Sequence, residues 1–333
     1  MFDVQKKLLP AALMTAAALA LAGCAGTDGG AGASDELTIV ASTDVWGDIA
    51  SVVAGDGATV TSIIDSPDKD PHEYEATSRD QLAVSRADLV IENGGGYDSF
   101  IDTLLDASGS DAHVISAVEL SGLLPEDDHA EGDHADEEHA GEDHADEEHS
   151  DDDGHGHVEG FNEHVWYDLA TASATASAVA EELAELDPAG ADGYRERAAG
   201  FADDISALQA DAVAAGGGSE GAGVVVTEPV PLYLLEAVGL RNLTPDSFSE
   251  AVEEDSDVSP ADLQTVLSLV TDGSASMLAY NEQASTGQTE TVRTAAEEAG
   301  VPVVDFSETL PEGQDYLEWM TGNIEAIASA LAQ

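Results

Sequence analysis

Short apolar runs rich in β-branched residues recur along the chain and determine its fold class. Helical patterns separate these runs, and the runs are apolar throughout rather than alternating. Continuous apolar runs are typical of strands buried on both faces of a parallel sheet. The pattern predicts an α/β protein with two lobes of repeating β/α units. The predicted strands are residues 36–42, 58–64, 88–93 and 113–118, then 223–228, 276–281 and 301–307.

A long helix is predicted between the two sets of strands. Pro188 precedes its pattern and the glycines at 216–218 end it. Its apolar residues are alternately four and three positions apart, which places them in one stripe on one face of the helix. We expect an N-terminal lobe at 35–187, a rigid linking helix at 188–216 and a C-terminal lobe at 217–333. The stripe consists of Tyr194, Ala198, Phe201, Ile205, Leu208 and Ala212.

The last segment of the chain has a similar stripe. It predicts an amphipathic helix that closes the second lobe. The apolar positions are Tyr316, Met320, Ile324, Ile327 and Leu331.

The N-terminal segment has the features of an export signal. Lys6 and Lys7 precede an apolar stretch at 8–21, and the sequence LAGC follows and ends at Cys24. This resembles a bacterial lipoprotein signal that is cleaved before Cys24, whose sulfur then carries lipid. An uncleaved membrane helix is the alternative, but the stretch is shorter than the roughly 20 residues that span a bilayer.

We therefore expect a signal peptide at 1–23, a flexible tether at 24–34 and a body anchored by lipid on the extracytoplasmic face of the cell membrane. Cys24 is the only cysteine, so any metal site in the mature chain must use nitrogen and oxygen ligands. The net charge of −60 argues against nucleic acid and anionic lipid as partners and favours cations.

Candidate metal ligands occur where predicted strands end. His72 lies in the loop after strand 58–64, Glu228 ends strand 223–228, and Glu308 follows strand 301–307. Ligands bind beyond the carboxyl ends of strands in open α/β sheets. With His164, these residues offer two imidazoles and two carboxylates, a set that suits zinc through nitrogen and manganese or iron through oxygen.

Each candidate also has an ordinary structural explanation. A histidine in a loop is often a surface residue or a helix cap. Glu228 and Glu308 could each cap a following helix, because acidic residues favour helix N-termini. The residues alone leave the two explanations open.

Four segments resemble a known family, the cluster A-I solute-binding proteins of zinc and manganese ABC importers. They read DPHEYEATSRD, FNEHVWYDL, VVVTEPVPLYLLEAVGL and PVVDFSETLPEGQDYLEWMTGNI, with the acidic insert between the first two. The resemblance implies two (β/α) lobes joined by one rigid helix, with a metal ion in the cleft between them. It also implies delivery to a membrane permease and no enzymatic activity, and we expect a monomer.

The resemblance assigns the family's four metal ligands to His72, His164, Glu228 and Glu308. The third family position is often His in zinc-binding members and Glu in several manganese-binding ones. The last is usually Asp, where this chain has Glu308. Two histidines with two carboxylates resemble the manganese side of the family more than the three-histidine zinc side, whereas a histidine-rich acidic loop marks zinc importers. We take zinc as the first candidate and manganese or iron as the alternatives.

The acidic insert at 126–157 contains histidines but no large apolar residue, so we expect a mobile loop. Its imidazoles, several of them five residues apart, offer weak nitrogen sites, and its carboxylates attract dications. We expect it to gather zinc near the cleft. The alternative is a solvated linker expanded by duplication, since HADEEHAGED repeats with a period of ten. The proposed weak ligands are His129, His134, His139, His144, His149, His155 and His157.

Two other functional classes stay open. The HEYEA segment that begins at His72 lacks the second histidine of an HExxH protease helix, and a metallohydrolase needs an open coordination position and a base. A surface zinc buffer or adhesin without a transporter has the same sequence features as an importer component.

Overall fold

The computed structural model describes residues 37–67, 69, 71–72, 74–125 and 160–333. The expected signal peptide, Cys24, the tether and the seven insert histidines lie outside these residues. None of the described helices has the length and apolar character needed to cross a membrane.

The N-terminal lobe contains a four-stranded parallel sheet. Helices follow its strands, and a 3-10 turn at Gly55–Gly57 precedes the second strand. In spatial order the strands are β2 (Ala58–Ile64), β1 (Leu37–Thr43), β3 (Leu89–Glu92) and β4 (His113–Ser116). The helices are α1 (Asp44–Ala54), α2 (Ser78–Val84), α3 (Phe100–Ser108) and α4 (Ala117–Ser121).

Two long helices carry the chain from the first sheet to the second. They are α5 (Leu169–Leu186), which follows a 3-10 turn at Val165–Tyr167, and α6 (Ala191–Ala215). Every residue of the apolar stripe predicted for the long helix is buried in α6. Helix α6 packs against α1 and α5, which precede it in the chain, and against helices of the second lobe, which follow it. Both lobes therefore pack on α6.

The C-terminal lobe repeats the first arrangement with a second four-stranded parallel sheet. In spatial order its strands are β6 (Arg241–Asn242), β5 (Gly223–Val226), β7 (Ala275–Asn281) and β8 (Val303–Phe306). Its helices are α7 (Leu232–Val238), α8 (Asp246–Glu253), α9 (Pro260–Thr271), α10 (Gly287–Ala299) and α11 (Tyr316–Leu331). The two-lobed α/β fold predicted from the sequence is confirmed. Strand β6 was not predicted, because two polar residues leave no apolar run.

Successive residues of the central strands face opposite sides of each sheet. In β1, Ile39 packs into a large cluster of buried side chains and Val40 into a smaller one that belongs to the N-terminal lobe. In β5, Val224 packs into the same large cluster and Val225 into a smaller one of the C-terminal lobe. Both faces of each sheet are covered, which is why the strand sequences are apolar throughout.

The large cluster contains side chains from both lobes. Trp46 and Tyr97 come from the first lobe, and Met277 and Trp319 come from the second. The lobes thus share one hydrophobic core, to which α5 and α6 also contribute.

Candidate metal centre

Three adjacent strands of the second sheet end in polar side chains that contact one another. Asn281 is the last residue of β7, and Glu228 and Glu308 lie two residues beyond β5 and β8. The Asn281 amide nitrogen donates to Glu228 Oε2 at 2.5 Å and to Glu308 Oε1 at 2.9 Å. All three residues are buried. One amide therefore joins the two carboxylates that the sequence predicts as ligands.

The orientation of the Asn281 amide is fixed by its neighbours. Its Oδ1 accepts from the Gln283 backbone N–H at 3.0 Å, so its nitrogen faces the carboxylates. The Asn281 backbone N–H donates to Thr227 Oγ1 at 3.0 Å, which ties the end of β7 to the segment after β5.

Tyr97 connects this carboxylate pair to the two predicted histidines. Its hydroxyl donates to Glu308 Oε2 at 3.3 Å across the lobes. Its ring centroid lies 4.9 Å from that of His72 and 5.8 Å from that of His164. With 1% of its surface exposed, Tyr97 forms a wall common to both halves of the site.

A glycine turn after β3 holds Tyr97 in this position. Gly94 has a φ of 79°, and a Cβ on it would lie 2.4 Å from the Ser116 hydroxyl, so only glycine fits. The buried Asp98 carboxylate accepts from the backbone N–H groups of Asn93 and Gly94 at 2.6 and 2.8 Å. These bonds close the turn around the tyrosine.

His164 is 1% exposed and has a defined tautomer. Its Nδ1 lies 2.7 Å from Asn162 Oδ1, which also accepts from the His164 backbone N–H at 3.1 Å. The nitrogen of the same Asn162 amide donates to the Pro229 carbonyl at 3.0 Å, so the oxygen must face the histidine. Nδ1 therefore carries the proton and Nε2 carries the lone pair that a metal ion needs.

The Nε2 side of His164 faces His72 and a glutamate that the sequence analysis did not select. The ring centroids of His72 and His164 are 6.2 Å apart. Glu253, the last residue of α8, places Oε1 3.7 Å from His164 Nε2. One ligand atom from each of these three residues lies within 4.8 Å of the other two. Glu228 and Glu308 are not part of this group, although Tyr97 and Asn281 link them to it.

Each ionised carboxylate of the site disfavours ionisation of the others. Burial, followed by the negative charges of Glu163, Glu228 and Glu308, raises the pKa of Glu253 to about 9. Its Oε1 is buried and accepts no hydrogen bond from any described residue. Two imidazoles and several buried carboxylates with an unsatisfied oxygen are a donor set that fits a divalent cation.

Four residues of this arrangement were not predicted from the sequence, namely Tyr97, Asn162, Glu253 and Asn281. Asn281 had a usable signal, because it is the polar last residue of a predicted strand. Asn162 stands two residues before His164 in a segment already selected. The glycines before Tyr97 indicated a special turn after a strand. Glu253 had no signal, since nothing local distinguishes it from other acidic residues in a helix.

The chain is similar to curated metal-binding lipoproteins. The manganese-binding lipoprotein MntA of Halalkalibacterium halodurans is 27% identical over 205 residues, covering 61% of this chain and 58% of that relative. The manganese ABC transporter substrate-binding lipoprotein PsaA of Streptococcus pneumoniae is 23% identical over 328 residues, covering 96% of this chain and 97% of the relative.

Solved structures show the same fold. The substrate-binding protein FpvC of Pseudomonas aeruginosa in complex with Ni²⁺ superposes with a TM-score of 0.67 at 21% identity, covering 89% of this chain and 97% of its own. The periplasmic zinc-binding protein TroA of Treponema pallidum gives 0.66 at 20% identity, covering 90% and 100%.

The family match extends over nearly all of the described lobes. Residues 39–330 match the family described as ZnuA, zinc-uptake complex component A, periplasmic. The resemblance recognised in the four sequence segments is confirmed, and the chain belongs to this family of metal-importer components.

Proposed function

We propose that this protein is the extracytoplasmic binding component of an ABC importer and captures a divalent transition metal ion with His72, His164, Glu228 and Glu308. Zinc is the first candidate for the ion and manganese the alternative. The ion is cargo for a permease, and the protein is a binding protein rather than an enzyme.

The observation that carries the proposal is the orientation of His164. Asn162 Oδ1 accepts a hydrogen bond from the Nδ1–H of His164, and Nε2 lies on the side of the second histidine and a carboxylate. In metal-binding histidines the N–H of the other ring nitrogen almost always donates a hydrogen bond to a fixed acceptor in this way. A core histidine kept only for packing needs no second imidazole and no converging carboxylates beside it.

The identity of the ion requires a separate argument. At a site of given nitrogen and oxygen donors, zinc binds more tightly than manganese, whatever the cell transports. The carboxylates Glu228 and Glu308 make manganese acceptable, and the two curated relatives described above are named for manganese. We therefore expect one tight site that takes both ions and in which zinc displaces manganese.

Chelator competition on the full chain tests the proposal. We expect one tight ion per chain and a loss of affinity for zinc of at least about 100-fold in His164→Ala, because a direct ligand contributes more than an outer partner. The matched control is His113→Ala, which removes an exposed histidine that pairs with Glu182 on the first lobe. Tight binding that survives His72→Ala and His164→Ala together would overturn the site, and manganese displacing zinc would overturn the zinc assignment.

Uptake measurements test the partnership with a permease. Deletion of the gene should abolish high-affinity accumulation of the metal by cells, and the His164→Ala protein should not restore it. Unchanged uptake in the deletion strain would instead support a surface buffer without a transporter.

A further inference from the structure

We propose that Glu253 is a direct ligand of the cargo ion, supplied by the end of α8 in addition to the four residues that the family resemblance assigns. The inference rests on the proposed function, since it concerns the same ion. It changes the chemistry of the site, because a third carboxylate joins the two imidazoles.

Distances support coordination rather than a simple ion pair. Glu253 Oε1 lies 3.7 Å from His164 Nε2, which is too far for a hydrogen bond. Two ligand atoms that share one ion at about 2.1 Å each lie roughly 3–4 Å apart. The ligand atoms of His72, His164 and Glu253 are within 4.8 Å of one another, so small side-chain movements bring all three to coordination distance from one ion.

The surroundings of Glu253 leave its charge without compensation from the protein. Its side chain is only 15% exposed, and Oε1 receives no hydrogen bond from the described residues. No Lys or Arg in the described part of the chain pairs with it, and the last turn of α8 contains no basic residue. A carboxylate at a helix C-terminus is also opposed by the helix dipole. A bound dication supplies the positive charge and the partner for Oε1 that the described residues do not.

The backbone after α8 fixes Glu253 at the helix end. The N–H of Ser256 donates to the Ala251 carbonyl at 2.8 Å, and that of Asp255 donates to Val252 at 3.1 Å. This pair of bonds is a Schellman motif, which requires a left-handed residue after the helix. Asp255 supplies it with a φ of 53°, the one positive φ among described residues other than glycine. Aspartate adopts this conformation more readily than most residues with a Cβ, and the turn ends α8 at the point where Glu253 lies beside His164.

The alternative is a buried carboxylate that only supports the fold. The two explanations differ in their effect on the protein without metal. Removing the charge of a ligand held in an acidic site should leave the apoprotein equally or more stable and should weaken metal binding. Removing a structural carboxylate should lower the stability of the apoprotein and leave the affinity nearly unchanged.

The experiment compares Glu253→Gln with Glu254→Gln in the full chain. Glutamine keeps the shape of the side chain, and Glu254 is the exposed neighbour at the same helix end. We expect Glu253→Gln to weaken zinc and manganese binding by at least about 100-fold, more than the loss of an outer partner. We also expect it to change the visible spectrum of bound Co²⁺ and not to lower the melting temperature of the apoprotein. Glu254→Gln should match the wild type in all three measurements.

The outcomes separate this inference from the proposed function. Wild-type protein that binds no ion tightly would refute the function itself. Wild-type protein that binds tightly while Glu253→Gln stays within about threefold of it, with the same Co²⁺ spectrum, would refute the role of Glu253 alone. A Glu253→Gln apoprotein that melts at lower temperature with unchanged affinity would assign Glu253 to the fold.

Discussion

Asn162 holds His164 by the ring nitrogen that faces away from the site, accepting from Nδ1 at 2.7 Å. The other end of the same amide donates to the carbonyl of Pro229, the residue after Glu228, at 3.0 Å. Asn162 belongs to the first lobe and Pro229 to the second. One side chain therefore sets the histidine tautomer and ties it to the lobe that supplies the carboxylates.

We expect Asn162→Ala to weaken zinc binding by about 10–100-fold, because the imidazole loses both its fixed tautomer and its orientation. Asn162→Asp is the matched control. It keeps an oxygen for Nδ1, replaces the donor to Pro229 by a second oxygen and adds a negative charge that favours the same tautomer, so its affinity should stay closer to that of the wild type. Chelator competition measures both variants, and equal losses in the two would show that the tautomer is unimportant.

Asn281→Asp should destabilise the protein without metal. Three carboxylates would then meet at the ends of β5, β7 and β8, and the amide that now donates to two of them would be gone. We expect a loss of about 2 kcal/mol in the free energy of unfolding at pH 8. Because like charges raise the pKa values of the folded state, protonation relieves the repulsion, and the loss should shrink as the pH falls to 5.

Asn242→Asp is the control for the loss of stability in Asn281→Asp. Chemical unfolding measures the free energy of unfolding of both variants. Asn242 lies on β6 of the same sheet, and its Oδ1 accepts from the Thr244 backbone N–H, which an aspartate also allows. Its unfolding free energy should change little. An equal loss in both variants would mean that charge in general, rather than the carboxylate cluster, is responsible.

Glu92 gives a pH dependence outside the metal centre. Burial, followed by the negative charges of Asp98, Asp102 and Glu119, raises its pKa to about 7 from an ordinary value of 4.5. The folded state then holds the proton more tightly than the unfolded state. The contribution of Glu92 to stability is complete below about pH 4.5 and is lost as the pH rises through 7.

Glu92→Gln should therefore stabilise the apoprotein at pH 8, by on the order of 1 kcal/mol after allowance for partial exposure, and should give no gain at pH 4.5. Thermal melts at the two pH values measure the difference. Glu298→Gln, which changes an exposed carboxylate on α10, serves as the control and should have little effect at either pH. A gain for Glu92→Gln that is independent of pH would contradict the assignment.

Deletion of residues 126–157 should leave folding and the tight site nearly unchanged, since the segment contains no large apolar residue and none of the proposed cleft ligands. It should abolish several weaker sites and slow capture at low metal concentration. In the intact protein these weak sites should disappear between about pH 7 and 5, as imidazoles with pKa values near 6.5 take up protons. Titration calorimetry on both proteins checks this. Loss of the tight site on deletion would make the insert the primary site.

Cys24→Ser should release the protein from the membrane fraction, because the variant lacks the sulfur that we expect to carry lipid. Fractionation of cells that express each form, with detection of the protein in membrane and soluble fractions, measures the change. Equal membrane association of the variant would refute the anchor.

The sequence predicted what depends on periodicity and on strand ends. Buried parallel strands show as apolar runs, and residues just beyond them share one edge of a sheet, which is how Glu228 and Glu308 were selected. Asn281 bonds to Glu228 and Glu308, and Asn162 bonds to Pro229 of the other lobe; these partners lie far along the chain, and no local pattern indicates such bonds. Glu253 reaches the site because α8 ends beside His164, a relationship of the tertiary structure that no local sequence pattern indicates.

The hydrophobic core that runs through both lobes determines how the molecule comes apart. Trp46 and Trp319 belong to the same buried cluster although Trp46 lies on α1 of the first lobe and Trp319 on α11 of the second. Neither sheet can lose its packing without exposing apolar surface of the other, so heat should melt the two lobes in one cooperative transition. An ion bound between them then raises the stability of the whole body, and calorimetry should show a single peak that moves upward as one.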